Sequence, residues 1–156
     1  MRDPRGRITT FDGPGAGTGA GQGTFSESIN HAEAATGYYS DTYSLAHGFV
    51  RAPYGEITTF DVPGAGTGPG QGTLPMGNNA WDEIEGYYVD ASSVAHGFLR
   101  APYGEITTFD APDAGTLGPA QNISQGTFPM TNNTEGAISG FYIDQNYAYH
   151  GFVRIP

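Results

Sequence analysis

The sequence predicts an all-β chain of three four-stranded antiparallel repeat units, and three observations carry that expectation. The segment Ala-Pro-Tyr-Gly-Glu-Ile-Thr-Thr-Phe-Asp occupies residues 52–61 and recurs verbatim at 101–110, with a relative, Arg-Gly-Arg-Ile-Thr-Thr-Phe-Asp, ending at Asp12. A fixed period of this length marks units that stack on neighbours because none can bury a core alone. Glycine (25 residues) and proline (11) punctuate runs rich in Tyr (10) and Phe (9), which reads as many short strands and turns rather than disorder. No segment combines a 3.6-residue period with helix caps, and the glycine density opposes helix throughout.

The copies align along their whole length. Asp12, Asp61 and Asp110 stand 49 residues apart. The sets Asn30/Asn79/Asn133, Gly37/Gly86/Gly140, Asp41/Asp90/Asp144, His47/His96/His150 and Arg51/Arg100/Arg154 are spaced 49 and then 54. The extra residues of the third copy fall between Asp110 and Gln125, in a Gly/Pro/Asn segment where loop insertion costs little. One repeat domain, 1–156, thus divides into units 6–54, 55–103 and 104–156.

In the second unit the first expected strand is 72–79, ending in a polar Asn turn. The second is 84–90, centred on Gly-Tyr-Tyr-Val, and the third is 95–101, centred on His-Gly-Phe-Leu-Arg. The fourth, 105–111, is rich in β-branched and aromatic residues. Pro102-Tyr103-Gly104 is a tight-turn signal, so strands three and four form a hairpin. Alternation puts His96, Phe98 and Arg100 on one face and Gly97 and Leu99 on the other. Large groups on both faces suit a sheet held between two neighbours.

Four strands in about 50 residues fit a β-propeller blade, and they fit a β-trefoil as well. His-Gly-Phe-[Val/Leu]-Arg, Ile-Thr-Thr-Phe-Asp-x-Pro-Gly-Ala-Gly-Thr and Gly-Tyr-Tyr-x-Asp together resemble the bacterial extracellular HAF-type repeats. The resemblance implies a propeller-like array and an extracellular setting, and it brings no activity with it.

The net charge of −10, with no lysine and six arginines, disfavours nucleic acid and anionic membrane surfaces as partners. The absence of cysteine excludes disulfides and thiolate chemistry. No stretch is long and apolar enough for a transmembrane helix, and the first residues carry no signal-peptide pattern.

The chain opens just before a fourth strand and closes after a third one. Terminal strands 7–12 and 149–155 are therefore expected to pair, within one chain or between chains, because an open strand edge invites pairing. A homo-oligomer, ring or fibre, is the expected partner state.

The repeated His47, His96 and His150, with Asp12, Asp61 and Asp110 and with Arg51, Arg100 and Arg154, read as structural elements. A catalytic site needs one constellation, whereas this one recurs. The pattern is similar to the His–Asp relay of tryptophan–aspartate propellers. The Gly-rich loops 13–23 and 64–72 lack the lysine or following helix of a phosphate cradle. The loops at Asp41, Asp90 and Asp144 offer one carboxylate each, short of the six to eight oxygens calcium takes. No cofactor is expected, with Ca²⁺ as the alternative. The run Asp82-Glu83-x-Glu85 reads as a solvated acidic face, and the sequons at Asn122 and Asn132 as incidental.

Asp41, Tyr43, Asp90, Asp144, Tyr147 and Tyr149 are the candidate ligand residues. In a propeller the loops between strands two and three share a rim with the Gly-rich connections, and Tyr with carboxylates suits a glycan. The sequence thus points to a non-catalytic, extracellular-type structural module that assembles through its terminal strands. The alternative is a carbohydrate- or peptide-binding, lectin-like propeller.

Overall fold

The computed structural model describes residues 6, 8–119 and 124–156. Arg7, at the start of the expected terminal strand, and the Asn122 sequon lie outside the described residues.

The described chain is all-β. Strand pairing places the unit boundaries after the fourth strands rather than at the expected 54 and 103, so the first unit supplies β1 (Gly23–Ile29), β2 (Ala35–Ser40), β3 (Ala46–Arg51) and β4 (Ile57–Phe60). The second supplies β5 (Gly72–Asn78), β6 (Ile84–Val89), β7 (Ala95–Arg100) and β8 (Ile106–Phe109). The third supplies β9 (Gly126–Asn132), β10 (Ile138–Ile143) and β11 (Tyr149–Arg154). Within each unit the strands form an antiparallel meander. A parallel bridge joins the units, Ala46 opposite Gly72 and Ala95 opposite Gly126. The result is one mixed sheet of eleven strands, open rather than closed, running from β1 to β11 with β4 and β8 branching from β3 and β7.

The repeated residues have identifiable backbone duties. Each first strand is irregular, with a register shift in β1 between Ser26 and Ser28 and in β5 between Pro75 and Gly77. The irregularity aims a carbonyl at the glycine of Gly-Tyr-Tyr. A Cβ on Gly86 would sit 2.3 Å from Leu74 O, and one on Gly37 2.0 Å from Phe25 O. Only glycine fits there.

The strand one–two and two–three turns share one design. Asn30 Oδ1 accepts the N–H groups of Ala32 and Ala34, and Asp41 Oδ1 those of Tyr43 and Leu45. The residue three positions on takes a left-handed conformation, as at Glu33, Ser44, Asp82, Ser93 and Tyr147. A side-chain acceptor holding two backbone donors stabilises such a turn.

The core lies between units. Val62, Ile84, Tyr88 and Phe98 cluster with Val50, Phe60 and Ile106 packed around them. The strand-four phenylalanine of one unit meets the strand-three phenylalanine of the next edge to face, Phe60 on Phe98 at 6.1 Å and Phe109 on Phe152 at 6.2 Å. The following arginine covers the same ring, Arg100 over Phe60 at 4.9 Å and Arg154 over Phe109 at 5.0 Å. Arg100 is partly shielded from water there, which lowers its pKa from the ordinary arginine value.

The expected N-terminal strand is not formed. Residues 8–12 carry no strand pairing, and Ile8 is 87 % exposed. The ladder it would need, with a strand three preceding it, has no counterpart among the described residues. Phe11 is nevertheless placed as Phe60 and Phe109 are, 5.8 Å from Phe49 and under Arg51 at 4.9 Å. At the other end β11 forms as expected, stopping at Arg154 rather than residue 155.

Candidate functional site

Two features recur with the unit: a rim of His–Asp clusters and the contact between successive units.

On the rim, His47 in β3 lies opposite Asp61 beyond β4. Its Nδ1 is 3.0 Å from Asp61 Oδ1, its Nε2 is 3.7 Å from Asp41 Oδ2, and its ring stacks on Tyr39 at 5.1 Å. The second copy repeats this with His96, Asp110 at 3.0 Å, Asp90 at 3.5 Å and Tyr88 at 5.1 Å. In both copies each ring nitrogen faces a carboxylate. The third copy is half built. His150 Nε2 meets Asp144 at 3.4 Å and the ring stacks on Tyr142 at 4.9 Å, while its side chain is 44 % exposed against 22 % for His47. The matching half sits at the other end, where Asp12 accepts a 3.4 Å hydrogen bond from Thr24 Oγ1.

The backbone N–H of Leu45, then that of Tyr43 and His47, hold the Asp41 carboxyl below the usual range. Ala148, Asn146 and His150 do the same for Asp144. Burial, with the neighbouring Asp110 and Asp90, pushes the Tyr88 hydroxyl up. The three turn aspartates thus spend one oxygen on the turn and turn the other to histidine. Among the described residues no group of three His, Cys, Asp or Glu is placed to hold a metal ion.

Asp41, Asp90 and Asp144 each lie beside a Gly-rich connection, their backbone carbonyl groups 2.7–2.8 Å from where a Cβ on Gly17, Gly66 and Gly115 would sit. Tyr43 is exposed there, and Tyr147 donates its hydroxyl to Gly118 O at 3.0 Å. Tyr149 lies elsewhere, on β11, tilted against Phe141 at 5.5 Å. The sequence reading missed Gln22, Gln71 and Gln125, whose amides fasten the connections to the turns through Thr42 O, Ala91 O and Gln145 O. Their recurrence before Gly-Thr was the available signal.

The acidic run of the second unit is solvated at Asp82 and half-buried at Glu83, but not solvated at Glu85. Asp82 accepts from Asn30 Nδ2 at 2.7 Å and Glu83 from Asn79 Nδ2 at 2.6 Å. Glu85 is fully buried, neither carboxyl oxygen has a hydrogen-bond partner among the described residues, and burial pushes its pKa up to about 8. Its first-unit counterpart is Thr36, which donates to Phe49 O at 2.8 Å.

The contact between units uses the same atoms twice. Asn30 Nδ2 donates to Asn79 O at 3.1 Å, and Asn79 Nδ2 to Asn133 O at 3.0 Å. Asn78 Nδ2 reaches back to Ala34 O at 2.9 Å, and Asn132 Nδ2 to Glu83 O at 3.0 Å. Ala46 N donates to Gln71 O and Ala95 N to Gln125 O, both at 2.9 Å. The two halves of this contact are open at the ends of the array. Ile29, where Asn78 stands one unit on, is exposed at one end, and Met130, Tyr149 and Val153 are exposed at the other.

In comparisons with known proteins no family model matches the chain, and neither a curated protein nor a solved structure does.

Proposed function

We propose that the chain is a non-catalytic structural module whose four-stranded units are the blades of a propeller-like array, and that copies of it assemble end to end. The observation that carries the reading is the unit-to-unit contact, made twice with equivalent atoms and left open in halves at the two ends of the chain. The end faces carry part of that chemistry: Asn30 and Asn133 recur there, while Ile29 stands where Asn78 and Asn132 donate. The His–Asp clusters belong to this scaffold, since those at His47 and His96 tie a strand-three histidine to the residue closing the hairpin. The resemblance to HAF-type repeats supports an extracellular setting for the assembly.

Light scattering over a concentration series tests the reading. The weight-average mass is expected to climb above the 16.4 kDa of one chain in whole-chain steps. A constant single-chain mass up to the solubility limit overturns it.

A further inference from the structure

We propose that the joint between copies is a hairpin completed in trans: residues 8–11 of one copy pair antiparallel with β11 of another. The inference rests on the assembly reading and fixes its register. Inside the chain β3 pairs β4 with Gly48 opposite Phe60, Phe49 opposite Thr59, Val50 opposite Thr58 and Arg51 opposite Ile57. The pairing of β7 with β8 repeats this, from Gly97 opposite Phe109 to Arg100 opposite Ile106. Carried to the ends, it sets Gly151 opposite Phe11, Phe152 opposite Thr10, Val153 opposite Thr9 and Arg154 opposite Ile8.

Three observations fit the two edges to each other. Phe11 already occupies the strand-four position against Phe49 and Arg51 without a strand beside it. The seat for its ring is vacant on β11. A Cβ on Gly48 would lie 3.0 Å from the Phe60 ring and one on Gly97 2.9 Å from the Phe109 ring, whereas Gly151 has only Gly140 O, at 4.0 Å. Finally, Asp12 stands where Asp61 and Asp110 stand, and His150 lacks the partner that those aspartates give His47 and His96. The trans hairpin unites the two half-clusters. It also covers Ile8 and Val153, whose internal counterparts Ile57 and Val50 are half-buried.

The faces behind these edges differ from the internal ones. Exposed Ser26 replaces the buried Pro75 and Pro129, and Tyr149 replaces the buried Ala46 and Ala95. The joint therefore draws on the strand edge and the phenylalanine seat more than on burial between faces.

Because the chain has no cysteine, single-cysteine variants report the register cleanly. Thr9→Cys and Val153→Cys are mixed under mild oxidation, beside a control mixture of Thr10→Cys and Val153→Cys. Directly opposed residues lie within disulfide reach, and a one-residue slip turns the side chain to the other face. A mixed disulfide in the first mixture at several times the control yield is the expected result. Oligomers that form by light scattering without that preference overturn the trans hairpin and leave end-to-end assembly standing. A chain that stays single overturns both.

Discussion

Glu85→Thr is expected to stabilise the chain at neutral and alkaline pH by on the order of 3–4 kcal/mol, a large gain for one substitution. The carboxyl group is buried with no hydrogen-bond partner among the described residues, and that burial pushes its pKa from the ordinary 4.5 up to about 8. Below pH 4.5 both the folded and unfolded chains carry the acid protonated, and its ionisation costs nothing. Between 4.5 and 8 only the folded chain holds the proton, so stability falls as pH rises, by about 1.4 kcal/mol per pH unit. Above 8 the loss is complete. Threonine removes the titration, and by analogy with Thr36, which donates to Phe49 O, it gains an acceptor in Phe98 O. The smaller side chain leaves a void that offsets about 1 kcal/mol. Urea unfolding at about pH 4.5 and about pH 8.5 checks the sign. The wild-type chain is expected to lose stability between the two, and the variant to be flat. A wild-type curve that is flat across this window overturns the assignment.

Gly126→Ala is expected to destabilise the chain by on the order of 3 kcal/mol or more. Gly126 has φ of +123°, and a Cβ there would lie 2.0 Å from Ala95 O, the residue that bridges the second and third units. Backbone strain and overlap with a carbonyl thus add. Gly23 separates the two terms: its φ is +125°, yet nothing lies within 4 Å of the added Cβ. Gly23→Ala therefore carries the strain alone, about 1 kcal/mol. Thermal unfolding of the pair at low concentration reads the difference, and equal losses would show that contact between units contributes little.

Much of this fold was legible because its information is local. Gly-Tyr-Tyr, His-Gly-Phe and Ile-Thr-Thr-Phe bounded by turn residues located the strands to within one or two residues of where they lie, and Pro-Tyr-Gly located the hairpins. What was hidden depends on distant partners. Glu85 follows Asp82 and Glu83 and looked like part of their exposed run, but its strand is covered by the next unit, whose sequence lies about 50 residues on. Asn79 was legible as a turn residue from its own neighbours. Its second duty, donating to Asn133 O, was not. Residues 8–12 have every local mark of a strand and form none, because a strand is a property of two segments and no partner segment lies beside them among the described residues. The His–Asp clusters were readable as pairs, since the hairpin brings residues 14 apart together.

The asparagine contacts between units run both ways, but through different residues. Asn30 and Asn79 give their amides forward to Asn79 O and Asn133 O, while Asn78 and Asn132 give theirs back to Ala34 O and Glu83 O. The two sides of each contact are therefore not interchangeable, and the row of units has a front and a back. Two fronts or two backs brought together would not repeat these donor–acceptor pairs. Under the assembly proposed above, growth through these contacts runs in a single direction.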